Sequence, residues 1–343
     1  MPWTKIPEYR RESDDSARQI TYVEAVNEAL RQAMDLDPDV FVLGEGVDDL
    51  GGVFGSTKGL VDIFGKQRVM DMPLAENSMA GITIGAAHAG MRPVCVHMRT
   101  DFLLLAMDQI ANHAAKWSYM FGGKVKTPVV FRAVIGRGWG SGAQHAQALY
   151  SLFMHFPGLR VIAPYSPVDA KGMLLSAIKS DDPVIMFEHR WLYSLSGPVP
   201  ETVVARALSG ADILCEGRDL TVVVSGLACK VALDAAEDLK HEGISPEIVD
   251  LRSLKPLDMD SIGRSLKKTG RLLVFDYSWE TCGLASEIIA QVSKRFFADL
   301  TQAPESLAFP ECSIPAGPVL ENAFYPGKEQ LKTTIRRMIG HDR

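Results

Sequence analysis

Two α/β domains, each a parallel sheet wrapped by helices, are predicted by three observations. Strand-like and helix-like stretches alternate almost without interruption along the 343 residues, the pattern of parallel strands joined by crossover helices. The alternation lapses once, over 194–210, where Gly197, Pro198 and Pro200 stand in a stretch without an apolar period, and then resumes. The chain also exceeds a typical single domain, so each half can bury its own core. The expected organisation is a loose lead over 1–19, a first domain over 20–193, a linker over 194–210 and a smaller domain over 211–335.

The elements follow in order. Thr21 and Glu24 form a capping box that opens a helix running to Met34. A short buried strand over 40–43 ends in Gly44-Glu45-Gly46, and Gly51, Gly52 and Gly55 make a loop before a helix over 60–64. Pro73 stops regular structure, and beyond it Met79, Ile82, Ile84, Ala86 and Ala87, with three glycines, make a small-sided apolar helix that must be buried. A strand over 93–98, a long helix over 101–116 and a strand over 128–133 come next. The glycine-rich loop 136–142 then delivers Gln144-His145-Ala146-Gln147 to a helix start, and strands over 159–163 and 184–188 flank a helix over 168–178. The second domain reads as strands over 220–224, 247–251, 272–275 and 306–309 with helices over 229–241, 259–268 and 285–296, before a proline-rich tail.

Composition narrows the function classes. With 47% hydrophobic and 23% charged residues and a net charge of −6, the chain has no basic stripe for nucleic acid. Cys95, Cys215, Cys229, Cys282 and Cys312 form no CxxC pair and have no zinc-spaced histidines, so reduced thiols of a cytoplasmic protein are expected. The first 18 residues mix acids with arginines and lack an apolar run, unlike a secretory signal. No apolar run reaches the roughly 18 residues a membrane-spanning helix requires, so no membrane partner is expected.

The stretch from Met70 to Gly81 holds the most informative acid, Glu76. A carboxylate entering an apolar helix with no lysine or arginine close in sequence is expensive as an anion unless it shares a proton or is bound. Two readings stand at this level. Glu76 is an ordinary first-turn acid beside the good caps Asn77 and Ser78, or it is a functional carboxyl. His145 is likewise either one of eight surface or core histidines or an imidazole carried to a cleft by its glycine-rich loop.

Pro73-Leu74-Ala75-Glu76, followed by the Ala-Gly-Ile helix, resembles the segment carrying the thiamine-activating glutamate in beta subunits of thiamine-diphosphate-dependent 2-oxoacid dehydrogenases. Further pieces carry the resemblance from about Ile20 to about Gly327: Asp101-Phe102 through Asp108-Gln109-Ile110 to Ala114-Ala115-Lys116, Gln144-His145-Ala146-Gln147, Pro157-Gly158-Leu159, Asp169-Ala170-Lys171-Gly172, Asp182-Pro183 and Lys255-Pro256-Leu257-Asp258. Ala146, where the family usually has serine, and Arg99, where an aromatic is common, depart from it.

The resemblance implies a transketolase-like pyrimidine-binding domain followed by a transketolase C-terminal-like domain. It implies that Glu76 hydrogen-bonds N1′ of the thiamine pyrimidine and favours the imino tautomer that removes the C2 proton. Phe102 would lie against the pyrimidine, Leu74, Ala75 and Met98 would line it, and Glu45 would stand nearer the thiazolium. By the same resemblance His145 is a substrate-side acid or base in acyl transfer to lipoamide. The chain contains no Gly-Asp-Gly, the segment by which thiamine enzymes hold Mg2+ on oxygen ligands. An alpha subunit must therefore hold the diphosphate and Mg2+, in a heterotetramer of two alpha and two beta chains. Some relatives bind K+ through carbonyls matching Val129, Ala177, Ile178, Ser180 and Asp182.

The expected function is oxidative decarboxylation of a 2-oxo acid, pyruvate favoured, with transfer of the acyl group to a lipoyl-bearing acyltransferase core. The alternative is an acetoin-cleaving or biosynthetic carboligase on the same scaffold. A non-catalytic architectural subunit is disfavoured because Glu76, Phe102 and His145 are all present.

Overall fold

The computed structural model describes Trp3 and residues 18–340, which form two compact units. Of the described residues, one unit comprises those up to 135 and 152–208, the other 136–151 and those from 209 on. Most of the lead expected over 1–19 lies outside the described residues; Trp3 is buried and its indole N–H donates to Asp37 Oδ2 at 2.6 Å.

The first unit contains β1 (Gln19–Thr21), α1 (Tyr22–Leu36), β2 (Val40–Gly44), α2 (Leu60–Phe64), β3 (Val69–Asp71), α3 (Glu76–His88), β4 (Arg92–His97), α4 (Thr100–Leu103), α5 (Trp117–Met120) and β5 (Val130–Ile135). After α6 (Tyr150–Met154) come β6 (Arg160–Ile162), α7 (Pro167–Lys179), β7 (Val184–His189) and β8 (Ser196–Pro198). Its main strands lie in the order β6-β7-β5-β4-β2-β3, every neighbouring pair parallel. β2, β5 and β7 are buried along their whole length, as strands covered by helices on both faces must be. The capping box is present, with Thr21 N–H donating to Glu24 Oε2 at 2.8 Å and Glu24 N–H to Thr21 Oγ1 at 3.3 Å. Residues 194–208, most of the stretch expected as a linker, belong to this unit: β8 pairs antiparallel with β1, and Arg206 donates to buried Asp169 at 2.8 Å.

Chain direction across the sheet decides where a ligand can sit. From β2 the chain goes outward to β3, then crosses back to β4 on the other side. The crevice at the carboxyl ends of β2 and β4 is the topological switch point, where open parallel sheets bind their ligands.

The long helix expected over 101–116 is broken. α4 gives way to a 3-10 turn, Leu104–Ala106, and then to a π-helical stretch, Gln109–Ala114. The tight turn overwinds and the wide one underwinds, so Leu103, Ala106, Ile110 and Ala114 all remain buried.

The second unit adds β9 (Asp212–Cys215), β10 (Leu220–Val224), α8 (Leu227–Lys240), β11 (Pro246–Asp250), β12 (Ser253–Lys255), α9 (Met259–Thr269), β13 (Leu272–Trp279), α10 (Leu284–Arg295), β14 (Glu305–Phe309), α11 (Pro318–Phe324) and α12 (Lys328–Ile339). Its sheet runs β14-β13-β10-β11-β9, parallel except for the antiparallel edge strand β9. The proline-rich tail carries α11 and α12; Leu331, Ile335 and Met338 bury one face of α12 at helical spacing.

Candidate cofactor site

Gly44, the last residue of β2, pairs with Val96 of β4 and Asp71 of β3. A Cβ here would collide with the Val96 carbonyl oxygen, so glycine permits the close strand approach that forms the crevice. Glu45 emerges directly above it, 5% exposed, and its Oε1 has no hydrogen-bond partner among the described residues. Burial, then the charge of Glu76, then that of Asp71 push the Glu45 carboxyl up to about 7.

The other groups come from neighbouring strand ends. Asp71 closes β3 and its Oδ1 accepts from Gly46 N–H at 2.7 Å. Met98 follows β4, its Cε 2.8 Å from where a Cβ on Gly46 would stand. Glu76 is the first residue of α3 and is buried, whereas Asn77 and Ser78 are exposed. The cap position falls to Ala75, which offers no side-chain bond, so neither Asn77 nor Ser78 caps this helix. Leu74 is exposed, and Ala75 and Phe102 are half-buried.

The fold therefore brings Glu45, Glu76 and Met98 to one strand edge of the first unit. Asp71 belongs with them and was given no role in the sequence reading; an acid closing a short strand was the available signal. His145 stands in the second unit, exposed, just after the 3-10 turn Gly142–Gln144 and not at the head of a regular helix. His97 is buried, its ring nitrogen Nε2 is 3.4 Å from Cys95 Sγ, and burial depresses its pKa to about 3, so it stays neutral. His88 stacks on Trp117 at 4.3 Å and bonds Thr127, which makes it a packing residue.

The carbonyls matched to K+ are met largely by protein donors. Arg92 Nη1 donates to the carbonyls of Ile178, Lys179 and Ser180, each at 3.0 Å. The Val129 carbonyl accepts from Val184 N–H at 2.9 Å and that of Ala177 from Ser180 N–H at 3.1 Å. A guanidinium thus supplies positive charge at two of the five positions, and the carbonyls give no independent sign of K+. Among the described residues no group of three or more His, Cys, Asp or Glu side chains is arranged to hold a metal ion.

Comparison with known proteins shows the family. The transketolase pyrimidine-binding domain matches residues 18–195, and the transketolase C-terminal domain matches 209–331. The beta subunit of acetoin:2,6-dichlorophenolindophenol oxidoreductase from Cupriavidus necator is 44% identical over 331 residues, covering 94% of this chain and 98% of that one. The pyruvate dehydrogenase E1 beta subunit of Rickettsia felis is 40% identical over 320 residues, covering 93% and 98%. This chain belongs to the transketolase-like beta subunits of 2-oxoacid dehydrogenases. A solved split-gene transketolase, described as an inactive beta4 tetramer, shares the fold with a TM-score of 0.74 at 21% identity, over 94% of this chain and 100% of that one. The chemistry of this beta-subunit family depends on thiamine diphosphate, and the Glu45–Glu76 edge lies within the part matched to the pyrimidine-binding domain. No helix of the described residues is long and apolar enough to cross a membrane.

Proposed function

We propose that this chain holds the pyrimidine half of thiamine diphosphate in a 2-oxoacid dehydrogenase acting on pyruvate. An alpha subunit holds the diphosphate and Mg2+, in an assembly of two alpha and two beta chains. The carrying observation is a pair of buried carboxyls, Glu45 and Glu76, at the switch point of a parallel sheet, with burial and then two acids, Glu76 and Asp71, acting on Glu45. The donor set suits an aminopyrimidine: Glu45 Oε1 has no hydrogen-bond partner among the described residues, and a half-buried aromatic, Phe102, sits in α4, the helix that follows β4.

When bound, thiamine diphosphate would supply a nucleophilic carbanion at thiazolium C2 that adds to the 2-oxo carbonyl, and a cationic ring that takes up the electron pair left as CO2 departs. Glu76 holds a proton at pyrimidine N1′. Glu45, protonated up to about pH 7, keeps a second negative charge from forming beside it. Phe102 and Met98 hold the ring and exclude water, and Leu74 and Ala75 line the approach. His145 moves a proton at the acceptor sulfur as the acyl group passes to lipoamide on an acyltransferase core.

Glu76→Gln should preserve assembly and slow C2 proton exchange by about 10²–10⁴-fold, the usual contribution of one acid-base group; exchange at the wild-type rate would refute the assignment. A second reading, acetoin cleavage, is favoured by the 44% identity to an acetoin oxidoreductase subunit against 40% to a pyruvate dehydrogenase subunit. Copurified alpha and beta chains should turn over pyruvate with lipoamide. Turnover of acetoin with an artificial acceptor, and none of pyruvate, would select the second reading.

A further inference from the structure

The segment carrying His145 belongs to the second unit and is held to the rest of it at its start, middle and end. At its start, Arg137 Nη1 donates to Asn322 Oδ1 at 2.8 Å and its guanidinium lies 4.5 Å from the Tyr325 ring centre. In its middle, Gly140, at φ +71°, passes so near Ala316 that a Cβ would stand 2.8 Å from the Ala316 carbonyl oxygen. At its end, Tyr150 is 4% exposed and donates its hydroxyl to Asp276 Oδ1, while Asp276 Oδ2 accepts from Ser278 Oγ at 2.5 Å.

The Tyr150 end needs an explanation that packing does not supply. A phenylalanine would fill the same core volume without burying a hydroxyl and a carboxyl, both of which are costly to remove from water. Asp276 is 2% exposed in the interior of β13, and the groups that offset its burial are two hydroxyls and the Tyr277 backbone N–H. Such a network is directional: it sets the height and rotation of Tyr150, where an apolar contact would let it slide. Tyr150 is also the first residue of α6, and the five residues before it reach back to His145 without regular structure.

We propose that Tyr150, oriented by Asp276 and Ser278, is a positioning residue for His145. The inference rests on the acyl-transfer role given to His145 above. Misplacing a catalytic group by about 1 Å costs on the order of 10²-fold in rate, so a support of this kind should appear in turnover more than in stability.

The test uses the assembled complex with its alpha subunit and compares His145→Ala, Tyr150→Phe and the double variant. Tyr150→Phe should lower lipoamide-dependent turnover at least tenfold, leave C2 proton exchange within twofold and add nothing to the loss caused by His145→Ala. Asp276→Asn, which keeps an acceptor for the hydroxyl, should retain most of the wild-type rate, and Asp276→Leu should not. If His145→Ala is impaired while Tyr150→Phe turns over normally, or if the two losses multiply, the positioning role is wrong and the His145 reading survives. If His145→Ala is itself fully active, both fall. Should Tyr150→Phe not assemble, the Asp276→Asn and Asp276→Leu pair decides, and equal turnover in the two overturns the proposal.

Discussion

Glu188 and Glu45 both lie at strand ends of the first unit's sheet, and both are nearly inaccessible, at 1% and 5% exposure. Their surroundings differ completely. Glu188 receives Arg132 in bidentate fashion, Nε at 2.6 Å and Nη2 at 2.8 Å, with the Tyr193 hydroxyl at 2.9 Å. Glu45 has an oxygen without a partner and feels two further acids. A buried acid whose needs are met inside the protein belongs to the fold, whereas one whose needs are unmet points to something supplied from outside.

The largest effect should come from turning the first case into the second. Arg132→Met leaves Glu188 buried and without its cation, and denaturant unfolding should show a loss of about 3–5 kcal/mol; a loss under about 1 kcal/mol would erase the contrast. Glu45→Gln should do the reverse, with an effect that depends on pH. The folded chain binds the Glu45 proton up to about 7 against an ordinary 4.5, so the stability linked to that proton is whole below about pH 4.5 and is lost as pH rises through about 7. Thermal unfolding without ligand should find Glu45→Gln stabilising by about 1–3 kcal/mol at pH 8.5 and nearly neutral at pH 4.5, each pKa unit being worth about 1.4 kcal/mol. A gain equal at both pH values would remove Glu45 from the comparison. The smallest effect belongs to Asn77→Ala. Asn77 is exposed and does not cap α3, so stability should move by no more than about 0.5 kcal/mol; a loss of about 1 kcal/mol or more would restore the capping reading of this stretch.

The burial of Glu76 at a helix start was legible because its signal is local: a proline, a short turn and a small-sided helix within a dozen residues. Glu45 was visible as an acid between two glycines, but its burial beside Asp71 and Glu76 depends on β2 lying between β3 and β4, a pairing that joins residues far apart in the chain. The alternation of elements made both parallel sheets readable. It could not reveal β9, whose antiparallel pairing lies outside the crossover pattern, nor the β1–β8 ribbon, in which three residues a side carry too little period to read. The broken helix after β4 escaped for the opposite reason: its apolar spacing is helical, and the change in winding leaves that spacing intact.

The membership of residues 136–151 in the second unit has a consequence for dissecting the chain. The polypeptide passes between units at 135/136, 151/152 and 208/209, so a gene cut at the obvious boundary yields neither module whole. An excised first half would carry the histidine segment as an unsupported excursion, with Asn322, Tyr325, Ala316 and Asp276 all on the discarded piece. Such a fragment should be nicked by protease within that segment first, and its complement would refold lacking the strand of backbone that Ala316 packs against. Recombination between relatives would meet the same constraint: the histidine segment must be inherited with the C-terminal half, although it is encoded in the N-terminal one.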